Sequence, residues 1–291
     1  MQQRTIAIFG GDTRQAWAVQ AFLAADWQVQ QFDVPVLPDV DQGELCETLA
    51  EALDGAEVVL GPVPFRDFMP ADELAALMNP EQVFIAGMLP EDLQVALNHA
   101  NIDHYDLLER DDFSILNAIS TAEGAIVEAI IASGGNLHLC PVLVLGYGRC
   151  AKPLVKKLQG LQAHVTVVAR RWESACAAIA DGCEVLDFTA LPYHLPRFGY
   201  IFNTVPAPVL DESLMKELSP QLTIIDIASA PGGVDFEAAE ALGINAKLCL
   251  SLPGKYAPRS TGESIAQITR ILLEEREGSA WGWNKPAPES E

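Results

Sequence analysis

Residues 141–171, PVLVLGYGRCAKPLVKKLQGLQAHVTVVARR, restrict this chain more than any other stretch. An apolar run at 142–145 leads into Gly146-Tyr147-Gly148-Arg149-Cys150-Ala151, a helix is expected over 150–161, and a second apolar run follows at 164–168. Strand, glycine turn, helix and strand in that order make a nucleotide-binding unit. Glycine at 146 and 148 lets a pyrophosphate approach the backbone, and the free N–H groups at the helix start face its negative charge. Ala151 takes the third small position, where helix packs on strand. The spacing therefore predicts dinucleotide contacts at Gly146, Tyr147, Gly148, Arg149 and Cys150.

The end of the second run narrows the cofactor. An NAD site keeps an acidic residue about twenty positions past the glycines for the ribose hydroxyls, whereas a 2′-phosphate needs a cation there. Here the run ends Val168-Ala169-Arg170-Arg171, with no carboxylate before Glu173. Ala169, Arg170 and Arg171 thus predict NADP, with NAD the alternative. The structural alternative for the two arginines is a solvated strand end.

A chain of 291 residues is long enough for two domains, each with its own core. Its formal net charge of -22, from 40 acidic and 18 basic residues, argues against nucleic acid or an anionic membrane as partner. Against that field, the few cations inside a cleft matter. No targeting segment is expected, because Arg4 is followed at once by a short strand-like run, and no apolar stretch is expected to span a bilayer. The six cysteines are scattered, with no C-x-x-C pair and no histidine cluster, so no metal site is expected. They fit a reduced thiol set and a cytoplasmic location. Cys150, at a helix start, is either an acidified thiol or a small packing residue.

The first part alternates strands expected at 5–9, 28–32, 57–60, 83–86 and 102–107 with helices at 13–25, 42–53, 71–78 and 91–99. Such alternation gives a parallel sheet covered on both faces, with ligands beyond the carboxyl ends of its strands. Residues 10–14, Gly-Gly-Asp-Thr-Arg, fall at that edge. Asp12 either caps the next helix or meets a ligand; capping leaves Arg14 without a task. In NAISTAEGAIVEAIIAS, from Asn117, Ser120 and Glu123 have capping-box spacing, so a helix is expected to start near Thr121 and to link the domains. Shorter units follow, with strands expected at 184–186, 200–203, 222–226 and 246–248. The turns Asn203-Thr204-Val205-Pro206 and Asp226-Ile227-Ala228-Ser229 follow strands on the glycine-loop edge, which brings Asn203, Thr204, Val205, Pro206 and Ala228 toward the nicotinamide half of a dinucleotide. Ser260 and Glu263 repeat the capping-box spacing before a helix expected to fold back on the first domain. The tail after Gly278, with Trp281 and Trp283, reads as an irregular end.

Six segments, GGDTRQ at 10–15, NAISTAEGAI at 117–126, VLGYGR at 144–149, FNTVPAPVL at 202–210, IDIASAPGGVDF at 225–236 and LPGKYAPRSTGE at 252–263, resemble the A subunit of bacterial dipicolinate synthase. The likeness runs from about residue 5 to 273; the glycine turn alone is shared with D-2-hydroxyacid and alanine dehydrogenases. It implies an α/β chain of two doubly wound parallel-sheet domains joined by hinge helices. A flavodoxin-like substrate-side domain would hold 1–119 plus 258–291, and a Rossmann domain 120–257. It further implies an NADP-dependent oxidoreductase of sporulation, on a branch from lysine biosynthesis. Dihydrodipicolinate, or its hydroxylated tetrahydro precursor, would be oxidised to pyridine-2,6-dicarboxylate. A flavoprotein-like B subunit would be the partner, and assembly with further copies of the chain is expected.

Such an oxidation needs a hydride acceptor, a base and cations for two carboxylates. Arg14 and Lys255 are the expected carboxylate ligands, with Asp12, Thr121, Glu123 and Pro206 completing the substrate site. Lys255, where related dehydrogenases keep a histidine, is also the expected group for proton transfer, provided that its pKa is lowered. His99, His104, His138, His164 and His194 lie in no motif. The competing readings are a D-2-hydroxyacid-type dehydrogenase, which lacks its histidine here, and a nucleotide-binding subunit without chemistry of its own.

Overall fold

The computed structural model describes residues 3–66 and 68–278. It divides into two compact units, 1–114 with 258–291 and 115–257. The expectations for the tail after Gly278 lie outside the described residues.

The first unit opens with β1 (Thr5–Phe9), α1 (Thr13–Leu23) and β2 (Gln28–Phe32). It continues with β3 (Glu44–Leu45), α2 (Leu49–Leu53), β4 (Val58–Leu60), α3 (Ala71–Leu77), β5 (Val83–Ala86), α4 (Glu91–His99) and β6 (Asp103–Asp106). The sheet is parallel throughout, in the order β3-β2-β1-β4-β5-β6. Its central strands β1, β4 and β5 are buried on both faces, which is why they read as continuous apolar runs. Without the two-residue β3 the order is the flavodoxin one, 2-1-3-4-5.

A helix was expected over 42–53, but only 49–53 are helical. Gly43 has φ +66°, and a Cβ there would lie 2.7 Å from the carbonyl oxygen of Val29, so the chain runs close along β2 and pairs as β3.

The second unit is built from α5 (Asp111–Ser133, which spans the division), β7 (Pro141–Leu145), α6 (Ala151–Gly160), β8 (His164–Val168), α7 (Trp172–Ala180) and β9 (Glu184–Leu186). After α8 (Leu191–His194) come β10 (Tyr200–Asn203), α9 (Glu212–Met215), β11 (Thr223–Asp226), α10 (Phe236–Ala241), β12 (Asn245–Leu248) and α11 (Leu252–Tyr256). The strands run parallel in the order β12-β11-β10-β7-β8-β9, the Rossmann order, which reverses between β7 and β10. A crevice opens at such a reversal, beyond the carboxyl ends of the two strands.

Both capping-box expectations fail. Ser120 and Glu123 lie inside α5, which begins at Asp111, and Thr121 uses its hydroxyl on the carbonyl of Asn117, 2.9 Å away. No helix start near Thr121 offers N–H donors. Likewise Ser260 and Glu263 lie within α12 (Pro258–Arg276), the last helix of the first unit. The pattern S-x-x-E is local, and it does not end a helix that has already begun upstream, at Asp111 or at Pro258. By length and composition α5 is long and apolar enough to cross a membrane, although Glu123 and Glu128 interrupt its apolar run. Its alanines Ala122, Ala125 and Ala129 are fully buried in the core of the second unit, as in a core helix.

A candidate dinucleotide pocket at the glycine turn

Gly146, at the carboxyl end of β7, has φ +92°, and a Cβ on it would lie 2.5 Å from Thr204 Oγ1. Only glycine fits this turn. Over Gly148 a Cβ would meet nothing within 4 Å, so the backbone there is bare. Ala151 is fully buried in the first turn of α6. The turn borders an open pocket of about 480 Å³, lined by Gly146, Tyr147 and Gly148 on one side and by Ala169, Arg170 and Arg171 on another. Residues 205–209, Val-Pro-Ala-Pro-Val, close a third side.

Arg170 and Arg171 are exposed at the end of β8, and neither has an ion pair among the described residues. Ser174, in the first turn of α7, and Phe188 complete the wall. These two, with Ala207, Pro208 and Val209, are lining residues that sequence reasoning missed. The repeated prolines after β10 were the available signal for 207–209, since such a run cannot continue a helix or a ladder.

The remaining expected contacts build the pocket without lining it. Asn203 is fully buried: its amide donates to Asp226 Oδ1 at 2.9 Å and to the carbonyl of Val205 at 3.1 Å, and its oxygen accepts from the Val205 N–H at 3.0 Å. Thr204 donates its hydroxyl to the carbonyl of Leu145 at 2.8 Å. Asp226, also fully buried, accepts from the N–H groups of Ala228, at 2.9 Å, and Gly233, at 2.7 Å. Asn203, Thr204 and Ala228 therefore lock the loops after β10 and β11 to each other and to β7. Arg149 is exposed outside the lining set. Burial pushes the Cys150 thiol up, which makes it a packing residue and not an acidified one. The Tyr147 hydroxyl donates to Asp181, just past α7, and burial followed by that carboxylate raises its pKa.

The expected substrate residues divide between the units. In the first, Asp12 caps α1 by accepting the Arg14 N–H at 3.0 Å. Its carboxylate also takes Arg14 Nε at 2.8 Å and a terminal guanidinium nitrogen at 2.7 Å. Burial pushes the Asp12 carboxyl up, but Arg14 outweighs it and the net shift is downward. The pair gives the buried Arg14 the task that capping alone left open, and neutralises its charge.

In the second unit Glu123 is exposed and pairs with Lys157 at 2.6 Å. Lys255 lies on α11, where its ammonium donates to Glu128 at 2.5 Å. That hydrogen bond holds its pKa up at about 12. Proton transfer at neutral pH requires the opposite shift, so the lowered pKa that a base role for Lys255 needs is not met while Glu128 is its partner.

Residues 5–108 match the family model of the N-terminal domain of the dipicolinate synthase A subunit. The dipicolinate synthase A subunit of Bacillus subtilis is 36% identical over 169 residues, a match spanning 58% of this chain and 57% of that protein. Over that span the chain is similar to the dipicolinate synthase A subunit. The crystal structure of the Bacillus halodurans A subunit superposes with a TM-score of 0.82 at 27% identity, covering 93% of this chain and 97% of that one. An L-alanine dehydrogenase structure, TM-score 0.65 at 14% identity over 94% of this chain and 90% of its own, shares the fold.

Proposed function

We propose that the chain is the pyridine-nucleotide-dependent oxidoreductase component of a dipicolinate synthase, oxidising dihydrodipicolinate or its hydroxylated tetrahydro precursor to pyridine-2,6-dicarboxylate with NADP. The observation that carries this reading is the pairing of a glycine-turn pocket with two exposed arginines where an NAD site would keep a carboxylate. That the relatives are A subunits of dipicolinate synthases points to the substrate class and makes a B subunit the expected partner. A cytoplasmic location follows from the same reading.

The pocket's chemistry fits the cofactor. Bare backbone at Gly148, next to the amino end of α6, suits a pyrophosphate. Arg170 and Arg171 suit a 2′-phosphate, since guanidinium groups hold phosphate oxygens in pairs. When bound, the nicotinamide supplies the hydride acceptor. Val205 and Pro206 would offer the ring an apolar wall. Lys255 contributes positive charge for a substrate carboxylate.

Purified chain given dihydrodipicolinate and NADP, with and without the B subunit, tests the proposal through absorbance at the reduced-nicotinamide band. Reduction of NADP by the chain alone or by the pair is the expected result. Binding of NADP without reduction in either arm would leave a nucleotide-binding component and reject the oxidation.

A further inference from the structure

Glu128 lies on α5 with its side chain only 2% exposed. Its Oε2 accepts from Lys247 on β12 at 2.5 Å, and its Oε1 accepts from Lys255 at 2.5 Å and from the Tyr256 hydroxyl at 2.8 Å. One turn earlier, Gly124 lets α11 settle on α5, since a Cβ there would come within 2.9 Å of Leu252 Cβ. Two ammonium groups on one carboxylate leave the cluster with a net charge of plus one, inside a chain of formal charge -22.

A tie made for stability needs one cation per buried carboxylate. The second ammonium adds like-charge repulsion, which a further anion would relieve. Each ammonium has three donors, of which Glu128 takes one. The lysine side chains are 46% and 53% exposed, so donors remain open to a ligand. Both lysines sit toward the ligand-binding edge of the sheet, Lys247 near the carboxyl end of β12 and Lys255 just beyond it.

We infer that Lys247 and Lys255 form a two-ammonium site for the carboxylate of a small organic diacid, and that Glu128 is the positioning residue that holds them together. The inference deepens the reading above and rests on it for the identity of the diacid. Lys247 belongs to no sequence motif; only the fold brings it to Lys255.

Pyridine-2,6-dicarboxylate is the probe, titrated calorimetrically into the full chain. Lys247→Met and Lys255→Met should each weaken its binding at least tenfold, and Glu128→Gln should weaken it with NADP affinity within twofold of the parent. Loss of diacid affinity at constant NADP affinity is a result that a purely structural tie does not give. Two outcomes overturn the site: no diacid binding by the parent, or both lysine variants binding it within twofold of the parent. If NADP is still reduced in that second case, the oxidation stands without this site. If the diacid binds through the lysines but NADP is never reduced, the site stands and the oxidation falls.

Discussion

At the scale of single residues, Gly146 carries the greatest constraint on the pocket. Gly146→Ala would place a methyl group against Thr204 in a backbone conformation that costs a non-glycine residue energy, and a loss of about 2–3 kcal/mol is expected from strain and overpacking together. Chemical denaturation measures it, and a loss below about 0.5 kcal/mol, the size of an ordinary surface change, contradicts the geometry. Glu128 carries a pH prediction. Burial pushes its carboxyl up, but the hydrogen bonds from Lys247, Lys255 and Tyr256 outweigh it, and the folded pKa falls to about 2 from the ordinary 4.5. The stabilisation is therefore complete above about pH 4.5 and disappears as pH falls through about 2. The stability difference between the parent and Glu128→Gln should shrink across that window; a difference constant from about pH 6 to about pH 2.5 contradicts it. Little of this cluster was legible beforehand. Lys255 stood out in its motif, but periodicity says nothing about which lysine a buried glutamate more than a hundred positions away will hold.

At the scale of elements, the loops after β10 and β11 stand or fall together through Asn203 and Asp226. Asp226→Ala would strand three buried donors, on Asn203, Ala228 and Gly233, and should cost about 3–5 kcal/mol. Asp226→Asn should cost less, because one carbonyl oxygen survives. Melting of both variants checks the order, and an alanine variant as stable as the asparagine one would contradict it. The unit β7–α6–β8 was legible because apolar runs bracket the glycine turn on both sides, leaving one way to arrange them. α5 was legible as a helix but not in extent. Its start at Asp111 carries no serine or threonine cap, whereas Ser120 and Glu123 imitate one. β3 was hidden because its pairing depends on a close approach at Gly43 that no local pattern announces.

Across the whole molecule, two parallel sheets of related order are combined with a surface so acidic that anionic ligands must be drawn in by local cations. The two-unit α/β plan followed from chain length and strand–helix alternation. The walls of the pocket did not, since Ser174, Phe188 and residues 207–209 meet only where the sheet order reverses. Arg170 and Arg171 are the one cationic pair lining that pocket. Charge-assisted phosphate contacts worth about 1.5–3 kcal/mol correspond to roughly ten- to a hundred-fold in affinity. The most direct test is a titration of the purified chain with NADP and with NAD at fixed salt, repeated on Arg170→Ala/Arg171→Ala. NADP should bind at least tenfold more tightly than NAD, and the double variant should lose the difference while keeping its NAD affinity. NAD binding as tightly as NADP to the parent chain, or a preference unchanged in the double variant, would contradict the assignment of the two arginines to a 2′-phosphate.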